Sequence, residues 1–192
     1  MLNKNRTGIL GGLFDPPHLG HLIVAQFVLE EFKLNKILFV PAGKPPHKYQ
    51  YSPYEIRFKM TELAIKNNRR FSISNIEKNI PGKTYTTEVI KRMKQQINGI
   101  LYLIIGRDQW EEISTWKTPE VLFKWCRIIV MPRPDGTIRK GGRFSKKILF
   151  SHSPLIAISS TMIRERMKQG KDIKYLVPPS VHSYIKRKKL YR

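Results

Sequence analysis

The 192-residue sequence is poor in cysteine, in acidic residues and in long apolar runs. Its single cysteine, Cys126, excludes an intramolecular disulfide and a cysteine metal cluster. No uninterrupted apolar run approaches the roughly 20 residues that cross a bilayer. The first six residues lack the apolar core of an export signal. We therefore expect a cytoplasmic protein with no membrane partner.

The shortage of acid leaves a strongly basic chain, with 14 Asp and Glu against 36 Lys and Arg and a net charge of +22. Such an excess attracts polyanions, nucleotides and nucleic acids included. The basic residues are spread along the whole chain, and only residues 186–189 form a compact run. We therefore favour a solvated basic surface over a nucleic-acid-binding function, and expect no nucleic-acid partner. The oligomeric state stays open.

Short apolar runs alternate with segments of helical periodicity, which predicts a doubly wound parallel α/β sheet with helices on both faces. The length suits one domain over residues 1–192. We expect the helices from about residue 159 onward to pack on the same sheet. The predicted strands are Thr7–Leu10, Lys36–Pro41, Phe71–Ser74, Ile100–Ile105, Arg127–Pro132 and Leu155–Ile158.

Residues 11–21, GGLFDPPHLGH, lie between the first predicted strand and a helix. In open α/β sheets ligands bind at the carboxyl ends of the strands, and the free N–H groups of a helix start attract anions. His18 and His21 could be metal ligands or structural histidines, but no third nitrogen or sulfur ligand is evident for zinc. We favour a phosphate-binding role for both histidines.

A second polar motif, Ser159-Ser160-Thr161, precedes Arg164 by about one helical turn. Hydroxyls and free N–H groups at a helix start, with an arginine on the same face, suit a phosphate group. Ordinary helix capping beside a surface arginine is the alternative.

The first motif, Gly-Gly-x-Phe-Asp-Pro-x-His-x-Gly-His, resembles the signature of the nucleotidyltransferase superfamily in the form carried by bacterial nicotinate mononucleotide adenylyltransferases. Residues 158–164 resemble the second signature of that family, Ile-Ser-Ser-Thr-x-Ile-Arg. The resemblance implies a Rossmann-like fold and adenylyl transfer from ATP to nicotinate mononucleotide. The products would be pyrophosphate and nicotinate adenine dinucleotide, in NAD biosynthesis.

The resemblance also implies roles for individual residues. His18, His21 and Arg164 would be catalytic, neutralising charge on the transferred and leaving phosphates. The implied ATP-binding residues are Gly11, Gly12, Phe14, Gly20, Ile158, Ser159, Ser160 and Thr161. The implied substrate-binding residues are Lys48, Tyr85, Thr86, Asp108, Trp116 and Arg133.

Three of these substrate-binding positions have a plainer alternative: Lys48 and Arg133 as surface charges, and Trp116 as a core side chain. Arg107 departs from the family, which commonly has a small residue between Gly106 and Asp108. Its guanidinium could favour an acidic pyridine or point to solvent.

The attacking phosphate oxygen is already ionised at neutral pH, so the implied reaction needs no covalent intermediate. It depends on in-line alignment of the reactants and on charge neutralisation. We expect Mg²⁺ to arrive with ATP, held by phosphate oxygens rather than by a protein metal site. The alternatives are a related transferase acting on nicotinamide mononucleotide or phosphopantetheine, a nucleic-acid-binding module, and a catalytically inactive relative.

Overall fold

The computed structural model describes residues 5–46, 50–132 and 147–192. Six strands form one sheet in the order β3-β2-β1-β4-β5-β6, and each neighbouring pair runs parallel. The strands are β1 (Arg6–Gly12), β2 (Lys36–Pro41), β3 (Phe71–Ile73), β4 (Ile100–Ile105), β5 (Cys126–Val130) and β6 (Ile148–Phe150).

The sheet centre is apolar on both faces, as a parallel sheet covered by helices requires. In β4 every residue from Leu101 to Ile105 is buried. The strand order reverses at β1, which pairs with β2 on one side and β4 on the other. This reversal confirms the doubly wound arrangement, and it places a crevice beside the carboxyl end of β1.

Helices cover both faces, and two apolar clusters lie between them and the sheet. One cluster contains Ile90 and Met93 packed with the Leu101 side of β4, and the other contains Val28 and Leu29 packed with Ile104. No helix of the described ranges is long and apolar enough to cross a membrane. The helices are α1 (Leu19–Glu31), α2 (Tyr54–Ile65), α3 (Thr86–Gln96), α4 (Arg107–Glu111), α5 (Glu120–Trp125), α6 (Ser160–Lys168) and α7 (Pro179–Lys188), with one 3₁₀ turn at Ile113–Thr115.

The C-terminal helices pack on α2 in a third apolar cluster. Ile163 of α6 and Val181 and Ile185 of α7 are fully buried in this cluster, where they pack with Met60 of α2. The apolar sides of α6 and α7 are therefore buried against a helix.

The expectation of a strand at Leu155–Ile158 is wrong. That segment has no strand structure, and Leu155 is half exposed. The last strand is β6, whose three residues pair with Ile128–Val130 of β5. Pro154 offers no N–H to a strand ladder, and the segment after it lines a pocket instead.

Candidate active site

Two cavities flank the carboxyl end of β1. The first, of about 340 Å³, lies on the β4 and β5 side and is lined by His18, His21, Gly106, Met131 and the 153–157 segment. The second, of about 530 Å³, lies on the β2 side and is lined by Gly11, Gly12, Ala42 and the 84–87 and 115–117 segments. The turn that joins β1 to α1 separates them. We call these the first pocket and the second pocket.

The two histidines stack at the start of α1. Their ring centroids are 3.7 Å apart, and His21 meets the Phe14 ring edge-on at 5.0 Å. The His18 backbone N–H donates to His21 Nδ1 at 3.2 Å. Since Nδ1 of His21 accepts a hydrogen bond, its neutral ring carries the proton on Nε2 and can donate from that atom.

Burial keeps both rings neutral at pH 7. His18 is 6% exposed, and desolvation lowers the pKa of its imidazole to about 4. The pKa of His21 lies well below its usual value because of burial and the neighbouring His18 ring. Among the residues that the structure describes, Nδ1 of His18 has no hydrogen-bond partner although it is buried, and a buried polar atom of this kind is expected to find a partner in a ligand.

Gly20 makes this stacking possible. A Cβ at residue 20 would lie 3.0 Å from Nδ1 of His18 and 3.2 Å from Cγ2 of Ile156. The glycine therefore lets the histidine ring and the wall of the first pocket approach the helix backbone closely.

The second motif is attached to the first one by hydrogen bonds. Ser160 donates from Oγ to the Pro16 carbonyl at 2.8 Å, and Arg164 donates from Nη1 to the Asp15 carbonyl at 2.8 Å. The fold thus brings together two motifs that are about 145 residues apart in the chain.

The remaining second-motif residues have local partners. Ser159 caps α6, since its Oγ accepts from the Met162 N–H at 3.1 Å. Thr161 Oγ1 accepts from Nη2 of Arg164 at 3.2 Å. Ile158 packs against the third apolar cluster.

The glycine pair and Phe14 differ in their surroundings. Within the described part of the chain, no atom lies within 4 Å of the place where a Cβ of Gly11 would project. Both glycines line the second pocket rather than the first. Phe14 is 1% exposed and packs in the core cluster beneath α1. The Phe14 ring therefore supports the floor of the site and His21.

Three of the expected substrate-binding residues converge on the second pocket. Tyr85, Thr86 and Trp116 all line it. Tyr85 is the N-cap of α3 and makes no side-chain cap, so the helix presents free N–H groups there. Nζ of Lys117 lies 5.0 Å from the centroid of the Tyr85 ring, and Lys117 also lines the pocket.

Glu77 ties the walls of the second pocket together. Its Oε2 accepts from the Gly43 N–H at 2.9 Å, and its carboxyl also accepts a hydrogen bond from the Thr84 side chain. Burial raises the pKa of Glu77. The sequence does not reveal this role, because nothing local distinguishes Glu77 from a surface glutamate.

Asp108 and Arg107 lie in the first turn of α4, next to Gly106 of the first pocket. The Arg107 side chain is 11% exposed and pairs with Glu111 at 2.9 Å, so its guanidinium does not simply point to solvent. Lys48 and Arg133 lie outside the described residues.

A buried arginine, also missed, fixes the turn between the pockets. Arg57 of α2 is 0% exposed. It donates to the carbonyls of Ser52 at 2.8 Å and Leu13 at 2.9 Å. A signal was present, because Arg57 lies three residues before Met60 on the apolar side of its helix.

Known proteins match the chain over most of its length. The cytidylyltransferase-like family model matches residues 9–166. A curated relative from Thermoanaerobacter sp. (strain X514), named "Probable nicotinate-nucleotide adenylyltransferase", is 43% identical over 100% of this chain and 97% of its own length. The chain belongs to the nicotinate-nucleotide adenylyltransferase family. A family member of the same name from Thermus thermophilus is 36% identical over 97% of this chain and 100% of its own length.

Solved structures show the same fold. A nicotinic acid mononucleotide adenylyltransferase from Plasmodium falciparum, complexed with NaAD, has a TM-score of 0.81 at 23% identity and covers 97% of each chain. The same enzyme complexed with APC has a TM-score of 0.79 at 22% identity and covers 97% of each chain. The present chain therefore has the fold that these proteins share.

Proposed function

We propose that the chain transfers the adenylyl group of ATP to nicotinate mononucleotide, forming nicotinate adenine dinucleotide and pyrophosphate in NAD biosynthesis. The observation that carries the proposal is the pair of pockets on either side of one anion-binding turn. A transfer between two nucleotides needs one pocket for each nucleotide and a site between the pockets where their phosphates meet. The names of the full-length relatives support this choice of substrates.

We assign ATP to the first pocket. Its walls are largely apolar, with Val24, Met131 and Leu155 among them, which suits the faces of an adenine ring. His18 and His21 stand at its phosphate end, beside the start of α1.

We assign nicotinate mononucleotide to the second pocket. Trp116 offers a ring for stacking, and the start of α3 offers N–H groups to the pyridine carboxylate. Lys117 adds a positive charge near the same place. Gly11 and Gly12, with no side chains, allow the acceptor phosphate to approach the turn.

In the proposed reaction an acceptor phosphate oxygen attacks the α-phosphorus of ATP. A new P–O bond forms, and the bond from the α-phosphorus to the oxygen bridging to the β-phosphate breaks, so pyrophosphate leaves with that electron pair. The attacking oxygen is already ionised, and no proton has to be removed from it. The protein therefore acts by alignment and by charge neutralisation.

The neutral histidines act in this proposal as N–H donors. Phosphate binding next to them favours the charged imidazolium and opposes the effect of burial on the pKa, so binding couples to proton uptake. Arg164 supplies a permanent positive charge through the part of its guanidinium that Asp15 and Thr161 do not use. Lys48 and Arg133 stay predictions as further phosphate contacts.

We propose that Mg²⁺ enters bound to ATP and shields its phosphate charges when bound. Within residues 5–46, 50–132 and 147–192, no cluster of three His, Cys, Asp or Glu side chains is arranged to hold a metal. The expected place of the reaction is the cytoplasm, with ATP and nicotinate mononucleotide as the only partners that the proposal needs.

The test is pyrophosphate release with purified protein, ATP, Mg²⁺ and one acceptor at a time. We expect rapid release with nicotinate mononucleotide, and little with nicotinamide mononucleotide or phosphopantetheine. Equal or greater release with either of the other acceptors would overturn the substrate assignment. The absence of pyrophosphate release with all three acceptors would overturn the proposed reaction.

His18→Ala tests the role of the turn. We expect kcat to fall by about 10²–10³ because a donor to the reacting phosphates is lost, with circular dichroism unchanged. His182→Ala is the control, since that ring pairs with Asp172 and lines neither pocket. Near-normal turnover of His18→Ala would contradict the role.

A further inference from the structure

The second-to-last residue of the chain contacts the signature turn. The Tyr191 hydroxyl donates to Oδ1 of Asp15 at 2.6 Å. The other oxygen of that carboxylate, Oδ2, accepts from the Ser52 N–H at 2.9 Å. Asp15 is 1% exposed, so these hydrogen bonds replace the water that the carboxylate loses on burial.

The backbone adopts two costly conformations to bring Tyr191 there. After α7 ends, Lys189 has φ of +52° and Tyr191 has φ of +61°. Non-glycine residues rarely occupy this left-handed region, and they do so where surrounding contacts compensate. The Leu190 N–H donates to the Ile185 carbonyl at 3.1 Å, and this hydrogen bond closes the turn that follows α7. A solvated basic tail would not need this path.

Asp15 is the residue of the turn on which several segments converge. Its carbonyl accepts from Arg164 of α6, and its side chain contacts Ser52, before α2, and Tyr191. His18 follows three residues later. A shift of the Asp15 side chain therefore moves the backbone that sets the direction of both histidine rings.

We propose that Tyr191 is a positioning residue, which through Asp15 holds the signature turn and its histidines in the geometry that adenylyl transfer requires. The proposal rests on the proposed function. It predicts an effect on turnover, because a hydrogen-bond donor displaced by about 1 Å impairs transition-state stabilisation more than ground-state binding. Burial beside a carboxylate raises the pKa of Tyr191, so the hydroxyl keeps its proton over the usable pH range.

The test compares Tyr191→Phe with Tyr184→Phe. The second variant removes the same hydroxyl from a buried tyrosine of α7 that packs in the third apolar cluster. We expect kcat to fall about tenfold in Tyr191→Phe, the size expected for one hydrogen bond to a charged group, with little change in KM. Tyr184→Phe should keep the wild-type kcat.

A second measurement separates positioning from stability. We expect the Cε1–H NMR signals of His18 and His21 to shift in Tyr191→Phe, while those of His152 and His182 stay in place. A double-mutant cycle with Asp15→Asn should show strongly non-additive losses of kcat. Unshifted histidine signals, an unchanged kcat, or additive losses would each overturn the proposal.

The two proposals fail in different ways. If the wild-type chain releases no pyrophosphate with nicotinate mononucleotide, the proposed function fails, and with it the role of Tyr191 in that reaction. If the wild-type chain is active and Tyr191→Phe matches it in kcat and in histidine signals, only the positioning role fails.

Discussion

Arg57→Met should destabilise the fold by roughly 3 kcal/mol, although it exchanges a buried charge for an apolar side chain of similar length. The guanidinium donates to the carbonyls of Ser52 at 2.8 Å and Leu13 at 2.9 Å, and hydrogen bonds from a charged group contribute about 1.5–3 kcal/mol each. The full sum for two bonds is therefore about 3–6 kcal/mol. Removing a buried charge recovers part of its desolvation cost, which lowers the expected loss to the bottom of that range.

The burial of Arg57 also involves its neighbours. Its guanidinium lies 5.0 Å from the Tyr51 ring centroid and 5.6 Å from that of Tyr54. Burial lowers the pKa of Arg57, and the nearby Asp15 carboxylate opposes that effect. Without the guanidinium, Asp15 stays buried with one fewer favourable charge, which adds to the loss.

Urea unfolding at pH 7 measures the effect, with the slope m checked for constancy so that the midpoint reports stability. Arg69→Met, at an exposed position after the same helix, is the control and should stay within about 0.5 kcal/mol of wild type. The stability loss of Arg57→Lys should lie between zero and that of Arg57→Met, because an ammonium group cannot reproduce the planar, forked donor geometry of a guanidinium. A loss below about 0.5 kcal/mol for Arg57→Met would refute the reasoning, and would mean that the charge costs as much as its bonds contribute.

Three further predictions concern the pockets. Between pH 6.5 and about 4, His18 is protonated in the unfolded chain but stays neutral in the fold, so the free energy of unfolding falls by roughly 3 kcal/mol as the pH falls through that window. His18→Asn should therefore flatten the pH dependence of the urea midpoint. An unaltered pH dependence would contradict the burial argument. Lys117→Met should lower kcat/KM for nicotinate mononucleotide about fivefold, the effect of about 1 kcal/mol from an exposed charge, and should lower kcat/KM for nicotinamide mononucleotide less. The control Lys124→Met removes a lysine next to Trp125 and should change neither kcat/KM value. Ser160→Ala removes the bond to the Pro16 carbonyl and should lower kcat several-fold with a stability loss of about 1 kcal/mol; wild-type kinetics would show that this bond does not hold the turn.

Much of the architecture could be predicted from the chain by itself. The run Ile100–Ile105 is apolar at every position except Tyr102, which is typical of a strand covered on both faces, and it forms β4. Alternation of strands and helices then leaves a parallel sheet as the compact solution, and places the carboxyl ends of the strands along one edge. For that reason the residues of the two motifs could be expected near one another before any contact was known.

Local pattern could not settle which apolar segment near the C-terminal third becomes a strand. Both 148–150 and 155–158 are short and apolar. Only the pairing of Ile148 with Ile128 in the folded sheet decides between them, and the rejected segment becomes a wall of the first pocket. Hydrophobic periodicity and residue propensity show which side of a strand or helix is apolar, but they do not show which surface covers that side.

The fold class and the motif turn at the end of β1 could be read from local sequence pattern, and the same pattern predicts that the turn binds phosphate. The contacts that hold the turn are visible only in the folded chain: a buried arginine from α2, Arg164 of α6, and a tyrosine 176 positions away from its acceptor Asp15. Backbone geometry and hydrophobic periodicity are local, so they can be read along the chain. Burial of a charge and its hydrogen bonds depend on segments that meet only when the chain is folded.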